Sequence, residues 1–245
     1  MSYQWAWYEV LDPISGAVAS SELFLEVSDQ TPVVITFWRP PQAPINVSTR
    51  PGVSRAHMLS IARRFALLDP VRYPVNHLIL RVAMDDYGGQ RLVWECLQVL
   101  DVSPETGVSM YGVVHDANTG EPLYPIAPFI NDGRPRRPIR FPQRAAVILA
   151  PSGKPIVTQL VPPALDGGVL WVRAEHLRAM DGVRVDVDRN GVRVRSGDRT
   201  FTGDRLQARR RDGAWWVPLR SAARTLGWSV TWNAARKEAT VHTGP

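Results

Sequence analysis

Trp215-Trp216-Val217-Pro218-Leu219-Arg220-Ser221-Ala222-Ala223-Arg224-Thr225-Leu226-Gly227-Trp228-Ser229-Val230-Thr231-Trp232 reads as one β/α unit. A short strand leads into a helix on which Leu219, Ala222, Ala223 and Leu226 recur at helical spacing and make one apolar face. Gly227 stands where a helix end wants a left-handed residue. Trp228, Val230 and Trp232 then alternate, as one face of a strand does. Leu170 to Val187 repeats the scheme 45 residues upstream: Trp171 falls on Trp216, Val172 on Val217, Gly182 on Gly227 and Val185 on Val230. Helices of two to three turns are unstable alone. Each must pack on its strands, so a β/α module built of two similar units is expected over residues 145–245.

Charge marks where that module begins. Residues 1–133 carry 8 Arg and 14 Asp or Glu, a net of −6, whereas residues 145–245 carry a net of +7. Such a change of sign often marks a module boundary. Between them runs Gly133-Arg134-Pro135-Arg136-Arg137-Pro138-Ile139-Arg140-Phe141-Pro142. Three prolines so close together continue neither a helix nor a central strand, so 133–144 reads as an extended Arg/Pro linker.

Residues 31–130 read as α+β. Thr31 to Trp38 is a β-branched, aromatic strand that Pro40 and Pro41 end. Ser54 is a good N-cap. Met58, Ile61, Ala62, Phe65 and Leu68 then follow at helical spacing over residues 55–68, with Arg63 and Arg64 outward and Asp69-Pro70 as the stop. His77 to Met84 and Arg91 to Leu100 are strands joined through Asp85-Asp86-Tyr87-Gly88-Gly89-Gln90, a hairpin. Ser109 to His115 adds a third strand. The expected module is an antiparallel sheet with one packed helix.

A second internal similarity relates the two ends of this half. Tyr8 to Gly16 matches Gly112 to Gly120, each a strand that ends in Asp-x-x-(Ser/Thr)-Gly. An Asp side chain accepts a backbone N–H two residues on, and Gly closes the turn at positive φ. Calcium at Asp12 or Asp116 is the sharper alternative, but one carboxylate per turn is far short of six to eight oxygens.

Two resemblances follow from these residues. The helix with Ala62, the hairpin through Trp94 and the strand ending His115-Asp116-Ala117-Asn118-Thr119-Gly120-Glu121 resemble a PepSY-type module, closest to the repeated YcdB/YcdC-type domain. Residues 1–30 then look like the tail of a truncated preceding repeat, and 31–132 like the PepSY-like module. Residues 145–245 resemble the stalk domain, also called the copper amine oxidase N-terminal-like domain. Trp216-Val217-Pro218-Leu219-Arg220, Leu226-Gly227, Val230-Thr231-Trp232 and Ala239-Thr240-Val241 carry that pattern. Arg173 and Ala174 depart from it in the first copy, where Pro218 and Leu219 stand in the second. The resemblances imply an extracellular or cell-envelope protein of a bacterium whose modules display or bind rather than catalyse, and they imply no copper site.

The residues themselves point away from catalysis. No nucleophile elbow, His-Glu-x-x-His helix or phosphate-binding Gly-rich loop occurs. His57, His77, His115, His176 and His242 are scattered, although His77 and His115 fall on strands that could be neighbours, so no metal or other cofactor is expected. Cys96, the single cysteine, sits mid-strand and reads as an inert buried thiol. Asp85 and Asp86 read as turn formers rather than an acid–base pair. No apolar run is long enough to span a membrane. The start, Met1-Ser2-Tyr3-Gln4-Trp5-Ala6-Trp7, carries no secretory leader, so the chain is either cytoplasmic or begins downstream of its natural start.

Binding chemistry resides in the arginines. Arg134, Arg136, Arg137 and Arg140 suit an anionic polymer. Arg209, Arg210 and Arg211 lie beside Trp215, a pairing of cations and aromatic platform that suits a wall glycan or anionic wall polymer and, as the least favoured partner, single-stranded nucleic acid. The ordinary reading makes that Arg run an exposed loop and Trp216 core. Three functions fit: a non-enzymatic envelope binding or display module at the cell wall, a peptidase regulator or inhibitor acting through the PepSY-like module, or a phage or cytoplasmic structural component.

Overall fold

The computed structural model describes residues 2–12, 14, 17–28, 34–38, 45–100, 110–127, 134–141, 147–149, 155–156 and 160–242. The chain is a sheet-rich α+β protein with three helical elements among the described residues. It divides into two compact units. Met1–Ala43, Ser48–Ala83 and Leu92–Pro142 form the first, and Pro44–Val47, Met84–Arg91 and Gln143–Pro245 the second.

In the first unit, β1 (Ser2–Asp12) and β2 (Ala17–Ser28) form an antiparallel hairpin that closes with Asp12 opposite Ala17. β3 (Val34–Trp38) pairs with β2; residues 31–33 of the expected Thr31–Trp38 strand lie outside the described residues. α1 spans Arg55–Arg64. β4 (His77–Met84), β5 (Gln90–Val99), β6 (Met110–Asp116) and β7 (Pro122–Ile126) follow, and the sheet order is β1-β2-β4-β5-β6-β7. The strands of His77 and His115, which the sequence left open as neighbours, are separated by β5.

α1 begins where expected: the Ser54 hydroxyl accepts the His57 N–H at 3.3 Å, and Met58, Ile61 and Ala62 are buried. It ends four residues short of Leu68. Buried Gln98 explains the early stop, because its side chain accepts the Leu68 N–H at 2.9 Å and donates to the carbonyls of Leu68 and Tyr73. A backbone amide held this way is unavailable to another helical turn.

The expected Arg/Pro linker runs without regular structure over 134–141 and is fastened to the first unit. Arg137 donates its backbone N–H to Leu67 O at 2.7 Å and reaches the carbonyls of Arg63 and Ala66 at the end of α1. Ile139 and Phe141 pack against the cluster of Leu67, Leu68, Tyr111 and Val113.

The second unit opens with β8 (Val147–Leu149) and β9 (Pro155–Ile156). β10 (Ala164–Asp166), β11 (Val169–Arg173), a 3₁₀ helix (Ala174–Ala179), β12 (Val183–Val187) and β13 (Val192–Ser196) make the first copy of the repeat. β14 (Arg199–Thr202) is an addition. β15 (Arg209–Arg211), β16 (Ala214–Pro218), α2 (Leu219–Thr225), β17 (Ser229–Asn233) and β18 (Glu238–His242) make the second. The repeat is thus hairpin, helix, hairpin, more than the strand–helix–strand legible in the sequence. Two details differ from expectation. The first helix is 3₁₀, and the Arg209–Arg211 run is an edge strand rather than a loop, its charges on an edge where they discourage further pairing.

The copies meet through β11 and β16, which pair antiparallel with Val172 opposite Val217. These are equivalent residues, so a local two-fold axis passes through that pair. It carries the β10–β11 hairpin onto β15–β16 and gives a four-stranded sheet, β10-β11-β16-β15. Both hairpin turns use positive φ, at Gly167 and Gly168 in one and at Asp212 and Gly213 in the other. The later turns correspond as well. Asp188 Oδ1 accepts the Gly191 N–H at 2.9 Å, and Asn233 Oδ1, 45 residues on, accepts the Arg236 N–H at 3.1 Å. One core serves both copies, with Val172, Leu177, Val185, Val194 and Leu206 packed together with Val217, Leu219, Ala222 and Val241. No helix among the described residues is long and apolar enough to cross a membrane.

Candidate functional site

Two grooves of the second unit flank the loop that joins β14 to β15, and both include Asp204 and Ala208. The first, about 310 Å³, lies over the outer face of the sheet β12-β13-β14. Alternation builds it. Val185, Val194 and Phe201 stand in register across the three strands and point into the core. One residue further along each ladder, Asp186, Arg193 and Thr202 also stand in register, are exposed, and line the groove. Half-buried Trp215 forms a wall, its Nε1–H donated to Asp188 O at 2.9 Å. Asp188 and Asp204 add carboxylates.

The second groove, about 780 Å³, is lined by Trp171, Pro218 and three arginines, Arg209, Arg220 and Arg224, against the single acid Asp204. Arg220 and Arg224 are exposed, one turn apart on the solvent face of α2, because Leu219, Ala222 and Ala223 take the other face inward. Arg209 and Arg211 place their guanidinium carbons 5.3 and 4.6 Å from the centre of the buried Trp171 ring. Arg211 is further committed to Asp166 at 3.0 Å.

The arginines singled out by sequence therefore separate. Arg209 lines the basic groove and Trp215 the other one. Arg210 bonds back to Gly213 O, at 3.4 Å. Arg134, Arg136, Arg137 and Arg140 belong to the first unit, where Arg134 and Arg136 sit over the rings of Tyr73 and Tyr111 at 5.9 and 5.6 Å. Sequence reading missed Arg220 and Arg224. The signal was present: two arginines at i, i+4 opposite the apolar stripe of α2.

Elsewhere in the second unit, polar groups hold the scaffold. The Asp85 carboxylate accepts the N–H groups of Tyr87 and Gly89 through Oδ1 and lies 2.9 Å from His176 Nε2 through Oδ2. Asp85 is thus the turn former expected. Arg173 lies 3.5 Å from the Glu175 carboxylate and donates to Gln90 O, while Asn46 donates to Glu175 at 2.9 Å. Burial pulls the Arg173 guanidinium below its ordinary value, and Glu175 opposes that pull. Arg173 and Glu175 are buried, and Arg173 Nε and Glu175 Oε2 face each other as an ion pair without a hydrogen bond among the described residues.

In the first unit, burial, with a smaller contribution from Glu95, pushes the Cys96 thiol up to about 12, which keeps it protonated and unreactive. Asp116 Oδ1 accepts the N–H groups of Asn118 and Thr119 at 2.8 and 2.7 Å, so this oxygen serves the expected turn. The matching Asp12–Gly16 turn lies partly outside the described residues. Among the described residues, no three His, Cys, Asp or Glu side chains gather in a way that could hold a metal ion. No family model matches the chain, and neither a curated protein nor a solved structure matches it significantly.

Proposed function

We propose that this chain is a non-enzymatic binding module of a bacterial cell envelope, whose basic half engages an anionic wall polymer. The groove framed by Arg209, Arg220 and Arg224 over an apolar floor carries this reading. Guanidinium groups pair with phosphate or carboxylate in forked geometry. The net +7 of residues 145–245 would draw a polyanion toward them. The doubled stalk-like unit, with one core shared between its copies, supports the reading because such a body suits display. The PepSY-like resemblance of residues 31–132 supports an envelope location in the same way.

The test is retention on purified cell wall. At low salt the protein should stay with intact wall and pass through wall stripped of its anionic polymers. Added salt should release it, since exposed charges are screened beyond about 10 Å at 0.1 M ionic strength. Arg220→Glu with Arg224→Glu should abolish retention without unfolding, because both positions face solvent. Equal passage through intact and stripped wall at low salt would overturn the reading.

A further inference from the structure

We infer that the groove beside Trp215 is a sugar-binding subsite that takes an uncharged hexopyranose ring of a glycan chain. This deepens the wall-binding reading and rests on it for the source of the glycan. A pyranose presents an apolar face of C–H groups and a rim of hydroxyls. It is recognised by an aromatic wall together with a set of fixed donors and acceptors.

The groove supplies both. Trp215 is an aromatic wall set in place before any ligand arrives, its Nε1–H anchored on Asp188 O and its ring packed against the shared core. A ring held this way loses little freedom on binding. Beside it, Asp186, Arg193 and Thr202 stand in register on three adjacent strands. Neighbouring side chains across such a sheet lie about 5 Å apart, so a carboxylate acceptor, a guanidinium donor and a hydroxyl address one ring together. These three polar groups stand on strands, where the backbone ladder fixes their spacing.

Charge decides the class of ring. Asp186 faces Arg193 across the ladder, so that pair offers hydrogen bonds without net charge. Asp188 and Asp204 then leave the groove acidic, which disfavours a phosphate or uronate here and leaves such groups to the arginines beyond Asp204. The two grooves on either side of the 203–208 loop thus divide one ligand chain between them, the sugar in one and the anion in the other.

The experiment is calorimetric titration of the full chain with uncharged N-acetylglucosamine oligomers, cationic glucosamine oligomers and a polyglycerol phosphate. The uncharged oligomer should bind, and Trp215→Ala should weaken it about tenfold. Trp215→Phe, which keeps a ring, should restore most of that loss. Because Trp215 also touches the core, Thr202→Val and Asp186→Asn, at exposed strand positions, provide the check that does not perturb folding; each should weaken the sugar several-fold. Arg220→Glu with Arg224→Glu should leave sugar affinity unchanged while removing polyglycerol phosphate binding. Absence of binding by the uncharged oligomer overturns the subsite, as does binding of the cationic oligomer alone. Loss of sugar affinity in the Arg variant equal to that in Trp215→Ala also overturns it. Failure of wall retention with sugar binding intact overturns the wall reading and leaves the subsite standing.

Discussion

His115 shows what one side chain contributes to the first unit. It is fully buried on β6, with Nδ1 3.0 Å from Gly120 O and the Phe65 ring edge-on at 5.7 Å. Burial lowers its pKa below the ordinary 6.5, and the bond to Gly120 only partly offsets this. The unfolded chain therefore takes up a proton before the folded chain does. The stability that depends on neutral His115 is complete above pH 6.5 and is lost as pH falls through the lowered folded value. Unfolding in urea at a series of pH values should show this loss, and His115→Gln, which does not titrate, should flatten that part of the profile. An unchanged acid limb in the variant would assign the loss to other groups.

At the scale of the element, the β4–β5 turn depends on one carboxylate. Asp85 satisfies the Tyr87 and Gly89 N–H groups and holds His176, and Gly88 supplies the φ of +84° that closes the turn. Asp85→Ala should cost about 2–3 kcal/mol by leaving those donors without their acceptor. Chemical denaturation would read this, with Asp86→Ala, outside that set of bonds, as the mild control. The turn was legible in the sequence because Asp and Gly at that spacing have one local solution. Other elements were less legible for reasons that are equally physical. The α1 stop depends on Gln98, thirty residues away, and no local pattern reports so distant a hydrogen bond. Strand β15 is three arginines, which propensity assigns to a loop, and only its ladder to β16 makes it a strand. The grooves were half visible. Arg209 and Trp215 were found as a basic, aromatic run, whereas Asp186, Arg193 and Thr202 converge only through sheet register.

Across the second unit as a whole, the shared core makes the two copies one cooperative body. Leu206 lies in the connection between them and is fully buried. Leu206→Ala should cost about 2–5 kcal/mol. Hydrogen exchange should then quicken in β12–β13 and in β17–β18 together, because neither copy has a core of its own. Faster exchange confined to one copy would mean that the halves fold separately.

The Val172–Val217 ladder carries one more consequence. Antiparallel strands that meet their own equivalents about a two-fold axis form the kind of seam by which two identical molecules join. A polypeptide bearing a single hairpin–helix–hairpin would leave that edge bare and would have to close it on a twin. Tandem duplication turns such a pairing into an internal one, and it frees each half to change without its mate: one keeps Trp215 beside a sugar-sized hollow, the other keeps Leu170.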